Sequence, residues 1–162
     1  MTIAIRKMNE GDIEQVQHVA RSSWRTTYNG IIPDSTQENF VATAYSSEML
    51  LKRLNETLFL VAEEEDEIIG FANFTPLKDE RKVELGAIYL YEEYQGKGIG
   101  TDLLKAGIQH LNDVKKIYVN VEKENLAGVN FYKSKGFIIE TEYEDLFDGH
   151  VLQTVRMVLD HY

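Results

Sequence analysis

The segment Tyr94-Gln95-Gly96-Lys97-Gly98-Ile99-Gly100-Thr101 constrains this chain more than any other. An apolar-rich run precedes it. After it, Ile99, Leu103, Leu104, Ile108 and Leu111 recur at helical spacing, so the segment joins a strand to a helix. Glycine takes positive φ without steric cost and lets a backbone approach a ligand closely. Successive N–H groups at a helix start then form a nest for anionic oxygens, reinforced by the helix dipole. The chemistry implied is phosphate or pyrophosphate binding, although a tight turn alone would use the same glycines. Two nucleotide loops are excluded. A P-loop needs Lys-Ser/Thr after its last glycine, and here Gly100 is followed by Thr101-Asp102. A Rossmann turn needs G-x-G-x-x-G, and the third position is Thr101 counted from Gly96 or Leu103 counted from Gly98.

The surrounding pattern gives an α+β domain with a mixed, mostly antiparallel sheet, helices on both faces and the order β-α-α-β-β-β-α-β-α-β-β. Residues 2–7 read as a strand. Asn9 and Asp12 form a variant capping box before a helix carrying Ile13, Val16, Val19 and Ala20, which Asn29-Gly30 stops. A second helical region follows, clearest from the Ser46-Ser47 cap through Met49, Leu50 and Leu54. Strands are expected at 58–63 and 68–74, about a charged turn Glu64-Glu65-Asp66-Glu67, and then at 83–91. A helix at 98–111, a strand at 116–121, a helix at 125–134 closed by Gly136, and strands at 137–143 and 151–159 complete the chain. With 162 residues, only two prolines and no repeat or linker, residues 1–162 are expected to form one domain.

Composition narrows the chemistry. There is no cysteine, which removes disulfides, Cys-ligated zinc and a thiol nucleophile. A formal net charge of -10 argues against a nucleic-acid partner and favours a cationic one by long-range attraction, while also being an ordinary charge for a soluble protein. No apolar run approaches the about 20 residues that span a bilayer, and the N-terminus lacks a signal-peptide core, so the expectation is a cytoplasmic protein with no membrane partner. His18, His110 and His161 have no metal-ligand spacing, and no metal is expected.

The glycine turn fits the acyl-CoA pyrophosphate pattern Q/R-x-x-G-x-G/A, filled by Gln95, Gly98 and Gly100. Downstream, residues 125–137 fit N-x-x-A-x-x-F-Y-x-x-x-G-F through Asn125, Ala127 (one position early), Phe131, Tyr132, Gly136 and Phe137. With the strand Glu84-Leu85-Gly86-Ala87-Ile88-Tyr89-Leu90-Tyr91 upstream, these motifs make the chain resemble the GNAT N-acetyltransferases along essentially its whole length. Trp24, Tyr28, Gly30 and Pro33, with the C-terminal Phe147-Asp148-Gly149-His150, Thr154 and Met157, resemble the group that includes polyamine acetyltransferases of the PaiA type. One departure is Glu92, where many members carry proline.

The resemblance implies direct attack of a neutral primary amine on the thioester of acetyl-CoA, the co-substrate. It makes Tyr132 the general acid toward the departing thiolate, which a phenol with a pKa near ~10 can serve at neutral pH. It makes Glu84 a base or amine-orienting group, since simple alternation places Glu84, Gly86, Ile88 and Leu90 on one face. The backbone of Ile88, Tyr89 and Leu90 is expected to pair with the pantetheine arm, and residues 95–101 (Gln95, Gly96, Lys97, Gly98, Ile99, Gly100, Thr101) to hold the pyrophosphate. Asn125, Asn130 and Lys135 are further cofactor candidates, although capping explains Asn125 and the helix dipole explains Lys135. Trp24, Tyr28 and His150 are candidates for the acceptor pocket, where aromatic walls suit an alkylammonium. Small amines, with polyamines first, are the expected acceptors. A protein Lys or N-terminal amine and a non-catalytic CoA-binding module are the alternatives. Dimers are common in the family, which leaves a homodimer open.

Overall fold

Strand β1 (Ala4–Lys7) passes into the first helix through the cap expected at Asn9. The Asn9 Oδ1 accepts from Gly11 N at 2.9 Å, and Asp12 Oδ2 accepts from Asn9 N at 2.8 Å. Asp12 also takes Arg6 Nη1 at 2.7 Å, while Arg6 Nη2 reaches Glu63 Oε2 at 2.7 Å. This network pins the helix start to the sheet. The computed structural model describes residues 2–77, 79, 81–147 and 149–160.

Helix α1 (Ile13–Tyr28) ends at a turn with Gly30 at φ +79°, as its Asn29-Gly30 pair predicts. The second helical region is two helices rather than one: α2 (Asp34–Ala44) and α3 (Ser47–Glu56). Ser46 explains the break. Its extended backbone (ψ 157°) leaves the helical region, and its hydroxyl caps α3 by accepting from Met49 N at 3.2 Å. The order is therefore β-α-α-α before the sheet resumes.

Strands β2 (Leu58–Glu64) and β3 (Glu67–Pro76) form a hairpin whose turn places Glu65 and Asp66 at φ 48° and 66°. Two consecutive positive φ angles match the strand twist of a tight hairpin. Then follow β4 (Lys82–Leu90), α4 (Ile99–His110), β5 (Lys116–Glu122), α5 (Leu126–Ser134), β6 (Ile138–Phe147) and β7 (His150–Asp160). All seven strands form one sheet in the order β1-β2-β3-β4-β5-β7-β6. Only β4 and β5 run parallel. Two apolar cores cover the two faces. Helices α4 and α5 pack on Leu60, Phe74, Leu85 and Ile117, while α1, α2 and α3 pack on Phe59, Val61 and Phe71.

Two departures from regular sheet geometry create the site. First, β4 and β5 pair only from Lys82–Glu84 to Lys116–Tyr118 and then separate. Second, Asn73 pairs with Ala87 but its neighbour Phe74 pairs with Leu85, so Gly86 is the extra residue of a β-bulge. The bulge reverses the alternation of β4. Val83 and Leu85 before it, and Ile88 and Leu90 after it, all face the α4 core. Glu84 therefore points to the opposite face from Ile88 and Leu90, which corrects the simple alternation.

Candidate active site

Where β4 and β5 part, a cleft of about 650 Å³ runs through the sheet. Its walls are residues 85–90 of β4 and Val119, Asn120 and Val121 of β5. One end meets the glycine turn and α5; the other meets Thr26, Thr27 and Tyr28 at the end of α1. Past Glu84, β4 has no strand partner on its β5 side, so its edge can pair with an extended ligand.

Gly96 and Gly98 lie at φ +76° and +83°. Gly98 is the N-cap of α4, and the first intrahelical bond there is Asp102 N to Gly98 O at 3.0 Å. The N–H groups at the start of the helix thus have no acceptor within it, the condition for binding an anion. Gln95, Gly96, Gly98, Gly100 and Thr101 line the cleft. Two other turn residues point elsewhere. Ile99 is buried in the α4 core, leaving only its amide to the nest, and the Lys97 ammonium lies 5.5 Å from the Tyr94 ring centroid.

Tyr132 is positioned by the end of its own helix. Gly136, at φ +98°, lets Phe137 N bond Tyr132 O at 3.0 Å and Gly136 N bond Lys133 O at 3.1 Å. This double closure is the Schellman arrangement. The Tyr132 side chain lines the cleft while remaining 7% exposed. Burial, together with the neighbouring Tyr28, raises its phenol pKa and keeps the proton on the oxygen. Tyr28 and Tyr89 contribute two more phenols, oxygen to oxygen at 3.2 Å. Both have raised pKa values, again chiefly from burial.

The remaining expected residues divide. Asn125 caps α5 by accepting from Gly128 N at 3.1 Å and lines the cleft as well. Lys135 lines it, its ammonium 5.5 Å from the Phe131 ring centroid. Asn130 is exposed and does not line the cleft, because its place on α5 turns it to solvent. Trp24 is a core residue, packed on Tyr28 at 4.4 Å and Phe40 at 4.5 Å, and its indole N–H has no acceptor among the described residues. His150 is half-buried at the start of β7, outside the cleft lining. Of the other histidines, His18 Nδ1 lies 2.6 Å from the Tyr91 hydroxyl and His110 Nδ1 lies 2.9 Å from Ala106 O. His161 and Asp148 lie outside the described residues.

Glu84 is not part of the cleft lining. Its Oε1 accepts from Arg156 Nη1 at 2.8 Å, and the same nitrogen reaches Asn120 Oδ1 at 2.9 Å. No sequence motif marks Asn120, Glu122 or the phenol of Tyr89. Alternation along β5 was the available signal, since Val119 and Val121 face the α4 core and leave Asn120 and Glu122 to the other face. Among the described residues, no group of His, Asp or Glu side chains is arranged to hold a metal, and no helix is long and apolar enough to cross a membrane.

The geometry is that of an unpaired strand edge leading to a helix start able to hold an anion, with a protonated phenol beside it. Comparison with known proteins gives the same picture. Residues 15–137 match the acetyltransferase (GNAT) family model. The spermidine N(1)-acetyltransferase of Thermoplasma acidophilum is 34% identical over 148 residues, covering 86% of this chain and 91% of that protein. The spermine/spermidine N(1)-acetyltransferase of Bacillus subtilis is 35% identical over 94 residues, covering 52% of this chain and 60% of that one. Among solved structures, the PaiA N-acetyltransferase of Thermoplasma acidophilum in complex with coenzyme A superposes with a TM-score of 0.86 at 30% identity, covering 99% and 100% of the two chains. The chain belongs to the GNAT family and is an acyl-CoA-dependent N-acetyltransferase, with acetyl-CoA as its co-substrate.

Proposed function

We propose that this enzyme acetylates a primary amine of a small polyamine of the spermidine class. The observation that carries the reading is the cleft itself, lined at one end by the glycine turn and at the other by Thr26, Thr27 and Tyr28, so that donor and acceptor have separate ends to occupy. The pyrophosphate lies on the amides of residues 96–101, the pantetheine arm pairs with β4 at Ile88, Tyr89 and Leu90, and Lys135 adds positive charge. On the other side, Tyr28 and Tyr89 offer aromatic faces suited to an alkylammonium. The net charge of -10 draws a polycation in. The two relatives named for polyamine acetylation support this acceptor class.

In the transfer, the amine nitrogen loses a proton to water or a carboxylate and attacks the thioester carbonyl. The C–N bond forms, the C–S bond breaks, Tyr132 gives its proton to the departing thiolate sulfur, and the second proton of the acylated nitrogen returns to the Tyr132 phenolate through water. Tyr132 is protonated at neutral pH, since burial moves its phenol pKa upward from the ordinary value.

The test is release of CoA thiol from acetyl-CoA in the presence of spermidine, spermine, putrescine, aminoglycosides, amino acids and short peptides. The protein carries no cysteine and contributes no thiol background. Release with spermidine or spermine above the other amines is the expected result. Release only with peptides transfers the assignment to a protein amine, and release with none overturns the polyamine reading.

A further inference from the structure

Glu122 is the last residue of β5, on the same face as Asn120; it is not itself in the cleft lining, but Asn120 and Val121 just before it are. It is 9% exposed, and among the described residues it forms no ion pair. Its Oε2 accepts from Glu124 N. Its Oε1 accepts no hydrogen bond, yet is not enclosed by the protein. A carboxylate withdrawn from water is costly unless a cation meets it. Other acidic side chains nearby are already engaged: Glu84 and Glu140 with Arg156, and Glu142 with Lys123. The charge of Glu122 reaches Tyr28, whose phenol pKa is raised by burial and by that charge, against the lowering effect of its bond to Tyr89.

We infer that Glu122 is the carboxylate that binds the acceptor's ammonium group, on the face of β5 that it shares with Asn120, and that Glu84 does not have this role. The inference rests on the amine-acceptor reading and assigns its electrostatic anchor. Among the described residues Glu122 has no cation partner, whereas Glu84 already has Arg156.

The test is spermidine binding to the protein saturated with CoA, measured by calorimetry and so independent of turnover. Glu122→Gln keeps an oxygen for Glu124 N and removes the charge. It is expected to bind spermidine at least tenfold more weakly while binding CoA as the wild type does. Glu142→Gln makes the same change in net charge on an exposed part of β6 and is expected to bind spermidine as the wild type does. Equal binding by Glu122→Gln, equal loss in Glu142→Gln, or no binding to the wild type overturns the inference. A second experiment needs no variant. Carbodiimide coupling of spermidine to the wild-type protein, followed by peptide mapping, is expected to place the adduct on Glu122 at lower spermidine concentrations than on exposed Glu142. Labelling of Glu142 first, or of both alike, overturns the inference. The CoA-release assay separately decides the acceptor reading, so a protein that turns over spermidine with no dependence on Glu122 keeps its function and loses this anchor.

Discussion

Arg156 on β7 donates from Nη1 to Glu84 Oε1 on β4 at 2.8 Å, bridging the intervening β5. Its guanidinium lies 4.6 Å from the Tyr118 ring centroid and also contacts Asn120 and Glu140. Arg156 therefore serves several partners and Glu84 one. Both side chains keep some solvent contact, 23% for Arg156 and 32% for Glu84, so the pair itself contributes little. Glu84→Gln is expected to cost at most about 1 kcal/mol in urea unfolding. Arg156→Met is expected to cost more, because it leaves Glu84, Glu140 and Asn120 without their shared donor. Equal costs in the two variants contradict this ordering.

Tyr132→Phe removes one oxygen from a ring that stays packed against Phe131 and Phe137. The helix end survives, since its closing bonds are backbone bonds. The expected result is a fall in kcat of about 10²-fold, the low end for loss of a general acid, with the KM for acetyl-CoA little changed. Steady-state CoA release checks both constants, and an unchanged kcat removes Tyr132 from the proton-donor role.

Glycines 98 and 107 respond oppositely to alanine. At Gly98 a Cβ meets no atom within 4 Å, but φ is +83°, a strained region for alanine costing about 1–2 kcal/mol. Relief of that strain turns the amides of the nest away, so Gly98→Ala is expected to weaken CoA binding by about tenfold or more by calorimetry, since each 1.4 kcal/mol is tenfold. At Gly107 the Cβ would approach Phe74 Cζ to 2.2 Å, and that ring is fully buried. Overpacking costs about 1–3 kcal/mol, against about 1 kcal/mol gained in helix propensity. Gly107→Ala is expected to lower Tm while leaving CoA affinity near that of the wild type.

Tyr28, Tyr45, Tyr89 and Tyr132 all have phenol pKa values raised by burial, that of Tyr45 to about 12. In the unfolded chain they titrate near ~10. Above that pH the unfolded state loses protons that the folded state retains, so the stabilisation is complete below about pH 10 and is lost as pH climbs toward the folded values. Urea unfolding midpoints are expected to fall steeply above about pH 10. The phenolate absorbance of these four residues is expected to rise with unfolding rather than before it.

Much of the architecture is legible locally. The Asn9–Asp12 cap, the turn at Glu65-Asp66, the positive φ of Gly96 and Gly98 and the Gly136 closure each depend on residues within a turn or so of one another. The break at Ser46 was harder to read, because the capping serine was clear while the helix before it, with Thr36, Gln37 and Val41 buried, carries a weak apolar pattern. In the site, Tyr132, Tyr28, Gln95, Gly96, Gly98, Gly100 and Thr101 line the cleft, whereas Lys97, Ile99, Trp24, Asn130, His150 and Glu84 do not.

Glu84 shows where sequence stops and tertiary structure begins. Residue types and short-range spacing determined that a strand precedes a phosphate-binding turn, that a helix follows, and that a tyrosine is offered beside it. Whether alternation holds along β4 depended on its register against β3, and the bulge at Gly86 inverts it. Which carboxylate is left without a cation depended on β7 entering between β5 and β6, bringing Arg156 to Glu84 and leaving Glu122 open. The bulge comes from pairing with the neighbouring strand β3, and the ion pair from residues 72 positions apart in the chain. Backbone preference and local periodicity act over a few residues, and only the closed sheet brings the distant charges together.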